Sequence, residues 1–516
     1  MANFERDNLT AKQKDYAVFL PALSGFYATF VGKQRKDEYV ELARLPKDFE
    51  TGVEGLNWLN KEEAYFPYHW ALYSAGHAEL DINKDSPKED MVRNRDRANS
   101  FILGDSGGFQ IGKGVWEGDW KDPNCPKAKK KREQVLAWMD AYMDRGMILD
   151  IPAWVCRSPR GRVATGINSY EEAVQGTYIN NDYFMANRSG QCKFLNVLQG
   201  ENHAEADDWY NRMKKYCDPK QYAQPFEGWA MGGQNMCDIH LVLRRLVELR
   251  HDGLLEKGLH DWMHFLGTSK LEWACLLTDV QRAVRKYHNE NFTISFDCAS
   301  PFLASANGQI YIQTETGDRT KWTYRMVPGV DDKKYATDTR RFGDAVLQDK
   351  IFANFEESPV SKRCEIKDVC IYNPGDLNKI GKEGKTSWDS FSYAIQMGHN
   401  VWSHITAVQE ANRQYDQGIT PKMLVQETFD RIYFKDVVEA IFATSDKGAA
   451  LEIIEEFNKF WISIIGTRGA TGKKTVNAST MFTNLFEEEE SDEADNHHVD
   501  DSGLDEANLD KLEQEI

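Results

Sequence analysis

Phe101-Ile102-Leu103-Gly104-Asp105-Ser106-Gly107-Gly108-Phe109-Gln110 is the stretch on which the fold turns. Phe101 to Gly104 reads as a short buried strand. An acid, a serine and two glycines then arrive together. Paired glycines let backbone approach a ligand closely. An acid leaving a buried strand is costly unless it is paired or used. Phe109 offers a flat face to a flat ligand.

The same rhythm repeats outward from this stretch. Glu133 to Arg145 has apolar residues at helical spacing, and Met147-Ile148-Leu149 then ends in Asp150. Ser169 and Glu172 form a capping box for the next helix. Phe194 to Leu198 ends in Gln199-Gly200, Gly228 to Met231 in Gly232-Gly233, Trp262 to Leu266 in Gly267, and Phe292 to Phe296 in Asp297. Helical stretches lie between them. Six short strands alternating with helices imply βα units and a parallel sheet. An open doubly wound sheet would want G-x-G-x-x-G after an early strand, and none stands there. A (β/α)8 TIM barrel is therefore expected, with polar and glycine strand exits gathered on one rim.

The expected organisation is an N-terminal lead-in over 1–60 packed on the barrel and a catalytic core over 61–306, with Tyr65 to Gly76 giving an early strand. An insertion follows over 307–387, with antiparallel pieces near Gly308–Gln313 and Lys321–Met326. C-terminal helices over 388–465 complete the barrel, and a linker and acidic tail occupy 466–516. Gly466 to Lys474, GTRGATGKK, lacks phosphate-loop spacing and reads as linker.

Of the net charge of −18, Glu487 to Ile516 carries −13, which leaves −5 for the body. Such a tail is expected to be disordered, and such a body can hold a local basic groove. Lys127, Lys129, Lys130, Lys131 and Arg132 form a basic run just after Trp116 and Trp120, a candidate surface for nucleic-acid phosphates and stacked bases. Nine scattered cysteines suggest reduced thiols rather than a disulfide framework. There is no apolar run of membrane length and no signal-peptide core. A cytoplasmic protein with no membrane partner is expected.

Two acids, Asp105 and Asp297, leave separate strands on the same rim. Such a pair suits displacement at an anomeric carbon, one acid attacking and the other moving protons. Acids at strand–helix junctions also cap helices, which is the plainer use of each alone.

The motifs together resemble the tRNA-guanine transglycosylase superfamily. Asp105-Ser106-Gly107-Gly108-Phe109-Gln110 is similar to its DSGGFQ signature, Val197-Leu198-Gln199-Gly200 to its V-Q-G, and Gly228 to Gly233 to its G-[YF]-A-[IL]-G-G. His264-Phe265-Leu266-Gly267 is similar to H-Y-L-M-G, Ser295 to Pro301 to the segment of its aspartate nucleophile, and Asn307-Gly308-Gln309 to N-G-Q. The resemblance implies Asp297 as nucleophile and Asp105 as general acid/base. Asp150, Gln199 and Gly233 would hydrogen-bond the base and Phe109 would stack on it, with Ser106, Gly232 and Leu266 also in the substrate pocket. It also implies a zinc site of three cysteines and a histidine. Here Cys364, Cys370 and His399 match and the middle cysteine is missing, so structural Zn2+ with Asp368, Glu365 or His404 as fourth ligand is the expectation. No organic cofactor is expected.

Gln234-Asn235 departs from the usual small apolar pair and suggests a more polar pocket wall. With its enlarged insertion and altered cysteine motif, the chain looks most like the DpdA-type branch found in bacteria and phages, placing a phage-encoded copy in host cytoplasm. The expected activity is exchange of guanine in DNA for a free 7-deazaguanine such as preQ0. The alternatives are the same exchange on tRNA, an inactive nucleic-acid-binding barrel or, more remotely, a barrel glycoside hydrolase. Self-association as a homodimer is left open.

Overall fold

The computed structural model describes residues 15–464 apart from 38–39, 41–43, 85–87, 307, 317–321, 330–334, 347–354, 371–389 and 429. The acidic tail, the glycine-rich linker and Asn307 lie outside the described residues.

Eight parallel strands form one sheet: β1 (Val18–Pro21), β2 (Trp70–Ser74), β3 (Phe101–Asp105), β4 (Arg145–Met147), β5 (Lys193–Leu198), β6 (Gly228–Met231), β7 (Trp262–Phe265) and β8 (Thr293–Cys298). β2 through β8 pair in chain order and β8 pairs with β1. A parallel bridge between Ala22 and Leu72 brings β1 against β2, so the sheet is a nearly closed barrel. Around it run α1 (Gly25–Asp37), α2 (Pro126–Tyr142), α3 (Tyr170–Asn187), α4 (His203–Met213), α5 (Ile239–His251), α6 (Leu271–Tyr287), α7 (Ser390–Asp416), α8 (Phe434–Ala443) and α9 (Lys447–Glu456).

Local chemistry sets several helix starts. Ser169 Oγ accepts from Glu172 N, while the Glu172 carboxylate accepts from Asn168 N, one residue earlier than a strict capping box. Asn202 caps α4 through Glu205 N, and Asp238 caps α5 through Leu241 N.

Residues 18–21 correct the expected organisation. They are the first barrel strand, in register with Ser295 to Cys298, rather than a lead-in outside the barrel. α7 packs against β1 and α6, so it covers the seam where β8 meets β1. Between β8 and α7 a hairpin forms from β9 (Gln309–Glu315) and β10 (Thr323–Pro328).

Side chains alternate across each strand, so Trp70, Leu72 and Ser74 share one face of β2, as Phe101, Leu103 and Asp105 do in β3. At the amino ends, Trp70, Phe101 and Trp262 meet with ring centroids 4.8–5.9 Å apart, and the Arg145 guanidinium lies 5.1 Å from the Trp262 ring. β2 and β7 are not neighbours in the sheet, so these rings meet across the lumen and plug that end. Phe19→Ala in β1 should cost about 3–5 kcal/mol of stability in a urea titration, because the ring is buried against Phe296 and His404.

Candidate active site

The carboxyl ends of the strands gather the polar groups. Ser74 and Asp105 are register partners on β2 and β3. The Ser74 hydroxyl accordingly donates to Asp105 Oδ2 at 2.6 Å. Asp105 is held above the ordinary carboxyl range, first by burial and further by the charge of Asp297. The Ser74 hydroxyl, the Gly107 N–H and His264 pull the other way. The two acids therefore sense one another from β3 and β8, as a shared rim requires.

Asp297 is held by donors on one oxygen only. His264 Nε2 lies 3.0 Å and Gly267 N 3.0 Å from Oδ1. The tautomer of His264 follows from its other side. Trp262 Nε1 donates to Ser295 Oγ at 2.8 Å, and Ser295 Oγ lies 2.9 Å from His264 Nδ1. Indole N–H is only a donor, so the serine accepts there and its own O–H is left to donate a hydrogen bond to Nδ1. That leaves the imidazole proton on Nε2, pointing at Asp297. No donor meets Asp297 Oδ2 among the described residues, and the side chain keeps a little exposure toward the rim.

Asp150 and Gln199 extend the cluster to β4 and β5. Gln199 Nε2 donates to Asp150 Oδ2 at 2.7 Å, with both side chains buried. Burial pushes the Asp150 carboxyl up to about 7; the Gln199 hydrogen bond opposes this and the charge of Asp105 adds to it. The glycines of the sequence motifs make this packing feasible. A Cβ at Gly108 would come 3.0 Å from Asp150 O, and one at Gly232 would come 2.9 Å from Gln199 Nε2. Gly107, at φ +81°, turns the chain directly over Trp116, where a Cβ would come 2.5 Å from the indole. Ser106 is buried within the turn and Phe109 is exposed at its edge, with the Trp154 ring 6.1 Å away and Lys113 Nζ 5.2 Å from its centroid. Gly233 lies beside Gly200 and Gln199, and half-buried Leu266 donates its N–H to Met231 O at 3.3 Å.

Other expectations are corrected. Asn235 is buried, and its amide donates to Gln199 O and Gly232 O at 3.2 Å each. It ties the exit of β5 to the exit of β6. Trp116 and Trp120 are core residues, not a stacking surface; Trp120 Nε1 donates to Trp116 O. Arg132 is buried with its Nε on Asn180 Oδ1 at 2.6 Å, and Asn180 Nδ2 donates to Leu149 O. It braces the residue before Asp150 and is not presented to a phosphate. Lys131 lies over the Trp116 ring at 4.7 Å, Lys127 pairs with Glu117 at 2.8 Å, Lys129 lies 4.0 Å from Glu133, and Lys130 is exposed.

The expected zinc ligands do not converge. His399 Nδ1 is 2.8 Å from Ser358 Oγ and Nε2 is 2.7 Å from Tyr311 O, so both ring nitrogens are engaged. Burial pushes His399 down to about 4. The Cys364 thiol donates to Val360 O at 3.4 Å within the main core, whereas Cys370 packs with Ile366 in a separate small cluster. His404 Nε2 faces Tyr324 OH and Cys298 Sγ. This donor set does not fit zinc.

The sequence reading missed Ser74, the role of His264 and the ring of Trp154. Ser74 could have been found from register once β2 was aligned with β3. No family model and no curated protein matches this chain. Among the described residues, no helix is long and apolar enough to cross a membrane.

Two predictions follow from this geometry. Arg132→Ala should lose about 2–4 kcal/mol in a denaturant titration by stranding Asn180, while Lys129→Ala and Lys130→Ala stay within about 0.5 kcal/mol. Asp150 holds its proton more tightly when folded than when unfolded. That contribution is present below the ordinary carboxyl range and is lost as pH rises through about 7. Asp150→Asn should therefore be the more stable protein at pH 8, by on the order of 2 kcal/mol, with the gap closing toward pH 5 in paired thermal melts.

Proposed function

We propose that this barrel is a DNA-guanine transglycosylase, exchanging guanine in DNA for a free 7-deazaguanine through a covalent aspartyl-glycosyl intermediate. The observation that carries the reading is the pairing of Asp297, with Oδ1 doubly hydrogen-bonded and Oδ2 unmet among the described residues, with a raised Asp105 at the carboxyl end of the barrel. Asp297 Oδ2 attacks C1′ of the target deoxyribose as the bond to guanine N9 breaks. Asp105 delivers a proton to the departing base, which needs an acid whose proton is held above the usual carboxyl range. The incoming base returns a proton to Asp105 and its N9 displaces Asp297 from C1′. Two displacements on one carbon retain configuration.

Asp150 accepts from the amino edge of the base and Gln199 adds a second polar contact. A buried acid poised near neutrality pays for its charge when such donors arrive, so a base without them is rejected. Phe109 stacks on the base at the mouth. The segment between β8 and α7, with its β9–β10 hairpin, is read as an insertion on the barrel. DNA rather than tRNA as substrate rests on the likeness of the motif departures to the DpdA-type branch. The target base has to leave the stack, at a cost of a few kcal/mol.

The test incubates the full chain with guanine-labelled DNA or tRNA and free 7-cyano-7-deazaguanine. Label should leave DNA and not tRNA. Asp297→Asn should lower release by about 10³-fold or more while keeping DNA affinity within a few-fold. Undiminished exchange in that variant would remove Asp297 from the role, and label release from neither polymer would reduce the barrel to a binding module.

A further inference from the structure

A second cluster of metal-ligating side chains lies on the same rim, outside the acids used above. β5 runs through Gln199-Gly200 into α4, whose first residue is His203. β6 runs through Gly232-Gly233 into α5, capped by Asp238 and carrying His240 in its first turn. One ligand atom each of His203, Asp238 and His240 lies within 4.8 Å of the others. The two imidazoles are parallel, 7° apart in plane and 5.6 Å between centroids. His203 Nε2 lies 2.6 Å from Asp238 Oδ2. Asp238 Oδ1 is occupied by its capping bond, so Oδ2 is the oxygen turned to the histidines.

His240 decides what this cluster can do. Its Nε2 lies 2.8 Å from Glu455 Oε1 on α9. A carboxylate accepts, so the ring proton is on Nε2 and Nδ1 bears a lone pair. That Nδ1 is buried and meets no hydrogen-bond donor among the described residues. A buried acceptor without a donor is costly, and a cation would satisfy it. The Glu455–His240 pair is also the outer-shell arrangement that orients a metal-bound histidine: the far ring nitrogen donates to a carboxylate while the near one ligates.

We infer that His203 Nε2, Asp238 Oδ2 and His240 Nδ1 form a binding site for a divalent transition ion of the zinc class, with Glu455 as its outer-shell partner. Imidazole and carboxylate donors suit such ions, and three protein ligands leave a fourth position for water. Tetrahedral zinc separates its donors by about 3.3 Å, within reach of side-chain adjustment from the present spacing. The ion would staple the loops that carry Gln199-Gly200 and Gly232-Gly233 to one another and, through Glu455, to α9. The site does not depend on which base or polymer the barrel handles.

The test measures zinc uptake by metal-stripped full-length protein, by equilibrium dialysis against zinc chloride. Wild type should take up one ion per chain. His203→Ala/His240→Ala should lose it, and Glu455→Gln should bind about 10–100-fold more weakly. Cys364→Ser/Cys370→Ser should bind as wild type does. Equal uptake by wild type and the double histidine variant, or loss in the cysteine variant, would overturn the assignment. Should the histidine variant not fold, cobalt(II) bound to wild type decides. A spectrum of nitrogen and oxygen ligands supports the site, whereas a thiolate charge-transfer band, or no cobalt uptake, refutes it.

Discussion

Three acids at one end of a small barrel repel each other, and the fold has to hold them apart in character while keeping them close. It does so by giving each a different set of donors. Asp297 receives an imidazole N–H and a backbone N–H on a single oxygen. Asp105 receives a serine hydroxyl and the Gly107 N–H, and Asp150 a side-chain amide. Hydrogen bonds to the charged form favour it and burial opposes it, and for Asp105 and Asp150 burial wins and both carboxyls stand above the ordinary range. The plugged amino end matters here, because water reaching the acids from below would level those differences.

Two of the side-chain contacts come from strand register. Ser74 meets Asp105 because β2 and β3 pair residue for residue, and Ser295 meets His264 because β7 and β8 do. Period-two alternation then stacks Trp262, Ser295, His264 and Asp297 upward through the lumen in one hydrogen-bonded line. A slip of one residue in either pair would turn these side chains outward. Barrel closure through β1 is thus a condition for the site and not only for stability, since β1 flanks β8 at the register of Asp297.

Much of this was legible in the sequence because strand exits carry a strong pattern. Mostly apolar runs of three to five residues ending in an acid, an amide or glycines mark both the strand and the rim, and Asp105, Asp150, Gln199 and Asp297 stand at such exits. β1 lies within the stretch read as a lead-in. Forty-eight residues separate it from β2, and a long connection hides a pairing that is not between neighbours in the chain. Burial was the other blind spot. Arg132 ends a run of exposed or half-exposed lysines, yet helical phase turns it inward to Asn180. Trp116 and Trp120 read as free aromatic faces until the turn at Gly107 and the Trp120–Trp116 hydrogen bond put them underneath.

The cysteine motif failed for a related reason. Ligand spacing states which residues could converge, but whether their lone pairs are free depends on neighbours far along the chain. His399 spends both nitrogens on Ser358 and Tyr311, 41 and 88 residues away. The rim histidines show the converse. His203 and His240 belong to no spacing rule, and it is the two helix starts after β5 and β6 that bring them side by side. In a barrel, adjacent strands deliver the first turns of their helices to adjacent places, so polar residues just beyond two neighbouring strand exits become partners whatever their separation in sequence. The same geometry that makes Asp150 and Gln199 a pair one layer below makes His203, Asp238 and His240 a cluster one layer above.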